Sequence, residues 1–402
     1  MWIRANWASG ILVVVVLAGA ACTSRVMIIG NDEKVTWDTT GKQVFGPPGA
    51  DTLKLMDISD PLSPQIVGSV FVQNSVTGPP TNIALVRQHG VALVANARRW
   101  VAADAGGWTS VPDTQVSVID VNELTNTPRI AGTVQVGQQP SGIDVSPNGD
   151  MVLVANRVDG TLSVLSIRGQ TVTNIGTVTL GPPPIVSDGG APPTSLISAV
   201  AFTPDGRHAL VTRVPGHQVA IVDIDLKTQT VVFNGIDVDV GKDPYNVVVS
   251  VDGRIALTSD NGNNGASDGL PDTVSVIDLE ANPPVVINQI QVGDAPEGLA
   301  VSPDGKSAAV GILNGNIVNQ ALPYYHPNGI VVGLKIDGKT VTKTNQIDVP
   351  GHCQGLVFSP DSKYLYAGSM LGQSISILAV ANGQLVDTGK VVSPGGHPAS
   401  MR

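Results

Sequence analysis

One short phrase recurs six times in this 402-residue chain and constrains its fold more than any other feature. Each copy consists of two apolar runs joined by a short turn, which in five copies reads P-N-G, P-D-G, V-D-G or P-D-S. Turn residues between two apolar runs indicate a β-hairpin. The copies are PTNIALVRQHGVALVANA from Pro80, PSGIDVSPNGDMVLVANR from Pro140, ISAVAFTPDGRHALVTRV from Ile197, PYNVVVSVDGRIALTSDN from Pro244, PEGLAVSPDGKSAAVGIL from Pro296 and CQGLVFSPDSKYLYAGSM from Cys353.

Two further phrases occur seven times each, and both show the alternation of a β-strand. The first reads TLKLMD, QVSVID, TLSVLS, QVAIVD, TVSVID, GIVVGL and SISILA. The second reads QIVGSVFV, RIAGTVQVG, NIGTVTLG, VFNGIDVDVG, VINQIQVG, TNQIDVPG and LVDTGKVV. Each unit therefore has four strands, termed a, b, c and d, and the units repeat every roughly 45–60 residues, close to the spacing of propeller blades.

The two ends of the repeat array complement each other. The first unit has strand b (RVMIIGND), strand c and strand d but no strand a, whereas HPASMR at the other end aligns with the strand-a phrase APEGLAV. We expect this last strand to complete the first blade and close the ring, which removes an exposed sheet edge. The prediction is an all-β, seven-bladed β-propeller of four-stranded antiparallel blades over residues 23–402. Because the closing strand is short, we expect it to be weakly held or frayed.

The combination VSPDG, VLVAN and TVSVID resembles the YVTN-repeat and lactonase-like seven-bladed propellers. The resemblance covers nearly the whole chain after the N-terminal segment. It implies the propeller fold and, among several activities, ring-opening hydrolysis of lactones. The stretch LMDISDPLSPQIVGSV also resembles the LVIVD-type repeat of cell-surface propellers. Because one fold hosts many functions, these resemblances leave the activity open.

Composition excludes one class of partner. The formal net charge is −10, and no Lys/Arg-rich run is present. Phosphate backbones are bound by basic surfaces, so we expect no nucleic-acid partner. Hydrophobic residues make up 42% of the chain and charged residues 14%, which is typical of a folded domain with a well-filled core.

The N-terminus MWIRANWASGILVVVVLAGAACTS has one arginine, an apolar stretch and then small residues. This order is typical of a secretory signal, so residues 1–22 are predicted to be a signal peptide and the protein to be periplasmic or secreted. LAGAAC also resembles a bacterial lipoprotein signal with Cys22 as the lipidated residue. Simple cleavage near Ala20 or Ala21 is the alternative. A membrane contact is expected only through that lipid.

Loop lengths predict which face of the disc carries function. The a–b turns are short, whereas the b–c and d–a connections on the opposite face, here called the top face, include long insertions. Long insertions on one face of a repeat scaffold are typical binding regions. They are residues 32–51, 97–114, 182–194, 260–272 and 313–328.

The less common side chains are concentrated in these top connections. Indole, phenol, guanidinium, imidazole and carboxylate groups together suit recognition of a polar or anionic ligand. The candidate ligand-binding residues are Trp37, Arg98, Trp100, Trp108, His217, Asp243, Asp260, Glu297, Tyr325 and His326. An aromatic residue in a long loop can alternatively anchor that loop by packing.

A lactone-opening site needs an activated water, a proton carrier and a cation for the developing oxyanion. His352 and His397 begin inner strands of neighbouring blades, so either is a candidate base and the two could meet around one ligand. Arg157 and Arg213 are candidates for binding a carboxylate. These four residues form the predicted catalytic set, with Asp243, Glu297 or Asp260 as candidates for orienting a histidine.

Three other kinds of site are compatible with the sequence. A metal site could use His217, His326, His352 and His397, which makes a single metal ion the one cofactor that the sequence suggests, although the chain has no short metal-ligand spacing. Cys353 could act as a nucleophile with His397, although a buried structural cysteine is favoured. DNGNNGASDG at Asp260–Gly269 resembles the start of a calcium loop but lacks the terminal glutamate.

The sequence therefore predicts an exported propeller that binds a small polar or anionic molecule on its top face and hydrolyses it as lactonase-like relatives do. A non-catalytic scaffold that binds a cell-envelope protein or glycan is one alternative. A redox-partner subunit is the other.

Overall fold

The computed structural model describes residues 25–104, 106–121, 127–181, 196–263 and 265–402. Seven four-stranded antiparallel sheets follow one another around a ring, which confirms the predicted seven-bladed β-propeller. The predicted signal peptide and the insertion at 182–194 lie outside the described residues. In the described ranges, no helix has the length and apolar content needed to span a membrane.

Strand order within each blade is a, b, c, d from the axis outwards. Blade 1 contains β1 (Val26–Asn31), β4 (Thr52–Asp57) and β5 (Gln65–Phe71). Blade 2 contains β6 (Ile83–Val86), β7 (Val91–Ala102), β8 (Trp108–Asp120) and β9 (Arg129–Gln135). Blade 3 contains β10 (Pro140–Val145), β11 (Met151–Asn156), β12 (Thr161–Arg168) and β13 (Thr171–Thr179). A small hairpin, β2 (Val35–Trp37) and β3 (Gln43–Phe45), projects from blade 1.

The remaining blades follow the same pattern. They comprise β14 (Ile197–Phe202), β15 (His208–Arg213), β16 (Gln218–Asp225) and β17 (Thr230–Asp239); β18 (Pro244–Val249), β19 (Ile255–Asp260), β20 (Asp272–Asp278) and β21 (Val285–Gly293); β22 (Pro296–Val301), β23 (Ser307–Ile312), β24 (Asn328–Asp337) and β25 (Thr340–Pro350); and β26 (Cys353–Phe358), β27 (Tyr364–Ser369), β28 (Ser374–Ala381) and β29 (Gln384–Val392). Strand β30 (Pro398–Met401) is strand a of blade 1, and two 3₁₀ turns span Arg87–His89 and Val214–Gly216.

The core is divided among the gaps between blades. Strands a and b are almost wholly buried, whereas strand d alternates between buried and exposed positions. Seven apolar clusters each join two adjacent blades, including the pair formed by blades 7 and 1. Burial of apolar area between neighbours therefore extends around the whole ring and stabilises its closure.

Five a–b hairpins of the described chain use the predicted turn chemistry, whereas the β6–β7 turn is the 3₁₀ segment Arg87–His89. In the turn after β18, the Ser250 hydroxyl donates to Asp252 Oδ1 at 2.6 Å and accepts from the Ile255 amide at 3.1 Å. Gly253 has φ +72°, a conformation that side chains other than glycine adopt at a cost. The repeated turn motif is thus explained by local hydrogen bonding and backbone conformation rather than by ligand binding.

Ring closure is firmer than its short strand suggested. Strand β30 pairs with β1, and Ile28 and Arg402 exchange backbone hydrogen bonds of 2.7 and 3.0 Å. Met401 is buried against Met27, Ile29 and Tyr366. The expectation of a frayed closure was wrong, because packing of Met401 between blades compensates for the few ladder hydrogen bonds.

Candidate functional site

A cavity of about 810 Å³ opens at the top of the propeller axis. Its walls come from the long b–c connections and from the starts of the inner strands. Five residues predicted from the sequence line it: Trp37, Arg98, Arg157, Glu297 and His352. The structure thus brings together side chains from five blades, as the ring architecture predicted for this face.

Two insertions form a roof over this cavity. The hairpin β2–β3 from blade 1 meets the 313–328 connection from blade 6, where the Gln320 amide donates to the Thr39 carbonyl at 3.0 Å. At Gly41, a Cβ atom would lie 2.7 Å from the Asn319 nitrogen, so this contact requires glycine. Thr40, Val318 and Leu322 line the cavity from the roof side.

A carboxylate and an imidazole lie together in the cavity wall. Glu297 Oε2 is 3.5 Å from His352 Nε2, and both side chains are buried. The Gln354 amide contacts both groups and fixes their relative position. Trp37 packs edge-on against the His352 ring, with centroids 5.5 Å apart. Among the described residues, His352 Nδ1 is a buried ring nitrogen without a hydrogen-bond partner.

Two guanidinium groups face the same space. Arg157 Nη1 donates to the Ser198 hydroxyl at 2.7 Å, and its guanidinium lies 5.4 Å from the Tyr245 ring centroid. Arg98 donates to the side chain and backbone of Ser110, both at 2.8 Å. In the described part of the chain, neither arginine is within salt-bridge distance of a carboxylate.

The electrostatics of this pair favour an anion. Burial lowers the pKa of Arg157, while Tyr245 and Glu297 oppose that shift. Burial lowers the pKa of Arg98 as well, and the positive charge of Arg157 adds to the effect. Both guanidinium groups stay protonated at neutral pH, because an arginine side chain is not deprotonated in proteins. Two arginines and one glutamate give the cavity a local charge of about +1 in a protein of net charge −10.

Two predicted catalytic residues lie away from this cavity. His397 Nδ1 is 3.2 Å from Glu33 Oε2, so the histidine pairs with blade 1 instead of meeting His352. Arg213 Nη1 bonds Asp237 Oδ2 at 2.5 Å, and the side chain packs on Phe233. Arg213 follows strand b as Arg157 does, but its side chain turns outwards to strand d.

Three predicted ligand-binding residues are held in the blades themselves. His217 Nδ1 accepts a hydrogen bond of 3.1 Å from the Asp243 amide and lies 3.5 Å from that carboxylate. Asp260 accepts hydroxyl hydrogen bonds from Thr258, Thr273 and Ser275. Burial raises the pKa of Asp260 to about 6, against the effect of these donors. None of the three lines the central cavity.

The aromatic residues divide between packing and exposure. Trp100 is only 7% exposed and packs against Phe45, an arrangement that matches the packing alternative for an aromatic residue in a long loop. Its segment continues the hairpin β7–β8, because the strand ladder extends to the Ala102–Trp108 pair and takes up much of the predicted insertion. Trp108 is 37% exposed at the hairpin end. Tyr325 and His326 belong to the roof connection but not to the cavity lining.

The alternative chemistries gain no geometric support. In the described ranges, no three His, Cys, Asp or Glu side chains are grouped to hold a metal ion. Cys353 is buried, and this burial raises the pKa of its thiol to about 12, which suppresses the nucleophilic thiolate. Asn264, part of the calcium-like stretch, lies outside the described residues.

Sequence reasoning missed Tyr245 and Gln354, although the repeat contained the signal. Both are the second residue of a strand-a phrase, as are Glu297 and Ser198. All four project from the inner strands toward the axis, where Tyr245, Glu297 and Gln354 line the cavity and Ser198 holds Arg157. The residue at this position differs between blades, being serine, tyrosine, glutamate or glutamine, and this difference identifies the residues that face the axis.

Comparison with known proteins gives a family match for one region of the chain and structural matches for the fold. Residues 33–181 match the choice-of-anchor I domain family, which covers β2 to β13 and less than half of the chain. The resemblance to YVTN-repeat proteins is not confirmed by this match and stays a prediction. No curated protein matches the sequence.

Solved structures share the fold at low sequence identity. A Bacteroides fragilis protein provisionally assigned as a 6-phosphogluconolactonase has a TM-score of 0.69 and 16% identity, over 95% of this chain and 99% of its own. The periplasmic gluconolactonase of Pseudomonas aeruginosa gives 0.68 and 15%, over 94% and 98%. Hydrazine synthase of Kuenenia stuttgartiensis gives 0.52 and 20%, over 77% and 78%. Together these similarities confirm the propeller fold, and function must be argued from the site.

Proposed function

We propose that the central cavity binds a small anionic lactone and hydrolyses its ring ester. The observation that carries the proposal is the Glu297–His352 pair facing Arg98 and Arg157 in one cavity. An acid–base pair beside cationic hydrogen-bond donors is what ester hydrolysis requires. The gluconolactonase assignments of structures with the same fold support this reaction class.

The reaction needs no co-reactant other than water. The Glu297–His352 pair takes one proton from the water as its oxygen bonds to the lactone carbonyl carbon. Arg157 stabilises the negative charge on the carbonyl oxygen. The ring C–O bond then breaks, the leaving oxygen takes the proton back from the pair, and the product is an open-chain hydroxy acid. Arg98 holds an anionic substituent of the substrate, since one guanidinium can bind two oxygens of a carboxylate or phosphate.

The proposal includes export to the cell envelope. The N-terminal signal and the Cys22 motif support a periplasmic or secreted protein, with a lipid on Cys22 as the membrane contact. Mass spectrometry of the mature protein from its native host tests this directly. A mature chain that retains residues 1–22 would contradict export.

Steady-state hydrolysis of glucono-δ-lactone and 6-phosphogluconolactone, followed by acid release, tests the chemistry. Glu297→Gln and His352→Gln are each expected to lower kcat by about 10²–10³-fold, because they remove the proton carrier. Arg98→Gln is expected to raise KM more for the phosphorylated lactone than for the neutral one, because its charge binds the anion.

Arg213→Gln and His397→Gln are the matched controls, since these residues were also predicted from sequence but lie outside the cavity. Both are expected to retain kcat within about threefold. Equal loss in the controls, or no turnover of any lactone, would refute the assignment. Saturable binding of the phosphorylated lactone without turnover would instead favour a non-catalytic binding protein.

A further inference from the structure

A second cavity, of about 310 Å³, lies in the gap between blades 1 and 2. It shares no lining residue with the central cavity. Outer strand β5 provides one side, and strands β8 and β9 provide the other. This groove is independent of the proposed lactone site in position and in chemistry.

One wall of the groove is apolar and exposed. Phe71, at the end of β5, is 70% exposed, and Ile130 in β9 is 51% exposed. Phenylalanine side chains are usually buried, because exposing the ring leaves a large apolar area in water. An exposed ring that forms the wall of a cavity therefore needs a partner, and a flat apolar face is the natural one.

The other wall is polar and ordered. Asp113, Gln115 and Ser117 are alternate residues of β8, so their side chains project from the same face of the strand. Asn96 and the Thr114 amide fix the Asp113 carboxylate with hydrogen bonds of 2.7 and 2.8 Å.

The hydrogen-bonding capacity of this wall is only partly used. Within the described chain, Asn96 Oδ1 is buried without a hydrogen-bond partner, and the exposed Gln115 and half-buried Ser117 side chains border the groove with their polar groups open to solvent or a ligand. Gln73, across the groove, accepts one hydrogen bond from Asn96 at 3.3 Å and retains its amide donors. Amide, hydroxyl and carboxylate groups thus converge opposite an aromatic ring.

The charge of the groove narrows the ligand class. Lys34 pairs with Asp51, the other carboxylate of the lining, which leaves Asp113 as the unneutralised charge. No lysine or arginine lines the groove, so phosphate, sulfate or uronate groups would be repelled in this acidic protein. A ligand must combine a flat apolar face with several uncharged groups that both donate and accept hydrogen bonds.

We propose that this groove binds the end of a neutral oligosaccharide. A pyranose ring presents C–H groups on one face, which would pack on Phe71, and hydroxyl groups around its rim, which would bond Asp113, Gln115 and Gln73. The volume of the groove, about 310 Å³, is at the lower end of the range for small-molecule sites. The propeller would then hold a glycan at its side while the central cavity remains open.

Titration of the full chain with cellotriose, maltotriose and N,N′,N″-triacetylchitotriose, by calorimetry and saturation-transfer NMR, tests the proposal. At least one sugar is expected to bind saturably with the ring C–H protons against an aromatic residue. Phe71→Ala is expected to weaken that binding about tenfold or more, and Gln115→Ala about threefold or more. Val391→Ala is the control, because Val391 is a similarly exposed apolar residue on the outer strand of blade 7.

Failure of all three sugars to bind at about 10 mM would overturn the proposal, as would binding that Phe71→Ala leaves unchanged. Self-association that Phe71→Ala abolishes, measured by sedimentation, would assign the exposed ring to a second copy of the chain and also overturn it. Glu297→Gln should leave sugar binding intact, so the outcome is separable from that of the lactonase proposal.

Discussion

Gly368 offers a test of ring closure because its missing side chain makes room for Met401. A Cβ atom at Gly368 would overlap the Met401 Sδ atom, and the next nearest atoms, Gly355 O and Pro398 Cβ, lie at 3.5 Å. The conflict therefore involves one side chain of the closing strand. Met401 is 2% exposed, so the thioether has little room to move away.

The magnitudes follow from this geometry. Gly368→Ala is expected to lower the free energy of unfolding by about 1–3 kcal/mol through overpacking. Met401→Ala is expected to lower it by about 2–5 kcal/mol, because it leaves a cavity between blades 7 and 1. In the double variant the added methyl group has no thioether to overlap, so the total loss should not exceed that of Met401→Ala. The coupling is therefore about 1–3 kcal/mol.

Urea denaturation followed by tryptophan fluorescence measures these differences. Gly132→Ala is the control, since a Cβ there meets no atom within 4 Å, and it should stay within about 0.5 kcal/mol of the parent protein. Additive losses in the double variant, or equal effects of Gly368→Ala and Gly132→Ala, would refute the packed closure.

Three further predictions address the roof, the acidic loop and the buried thiol. Gly41→Val should push the two roof segments apart and weaken binding of 6-phosphogluconolactone several-fold in calorimetry with little change in Tm; unchanged affinity would show that the roof contact is dispensable. Burial, together with Asp268 and Asp294, raises the pKa of Asp272 to about 7, so the folded state holds a proton that the unfolded state releases near pH 4, and stability should fall as pH rises from about 4 to about 7. Asp272→Asn should flatten that slope in Tm measured against pH, and an unaltered slope would contradict the shifted pKa. In a Cys22→Ser background, Cys353 should react with a thiol reagent only after unfolding, since the native thiol is buried with its pKa raised to about 12, and rapid labelling of the folded protein would contradict this.

The strand repeat predicted the fold well because each phrase determines its own strand or turn through local interactions. Alternating valines and isoleucines specify strands, and the P-N-G, P-D-G, V-D-G and P-D-S turns specify hairpins through contacts within a few residues. Closure was predictable for the same reason, since a missing strand a and a surplus strand a are visible in the sequence. Its firmness was not, because the fit of Met401 against Gly368 joins residues from two different blades.

The site was predicted in part. Position after strand b identified Arg157 and Arg213 alike, but only Arg157 finds Ser198 and Tyr245 beside the axis, whereas Arg213 finds Asp237 on an outer strand. His352 and His397 likewise start inner strands. Glu33 contacts His397 outside the central cavity, whereas Glu297 contacts His352 inside it. Tertiary packing decides whether the partner comes from the next blade, as Ser198 does for Arg157, or from the same blade, as Asp237 does for Arg213, and sequence spacing does not reveal this.

By itself the sequence determined a closed ring of seven sheets and the face on which function should lie, because repeat period, turn chemistry and strand alternation act over short distances. The tertiary structure alone decided that Glu297, His352, Arg98 and Arg157 share one cavity and that Phe71 borders another. The residues that share a cavity come from different blades and are distant in the sequence, and only the packing of the blades around an axis brings them together.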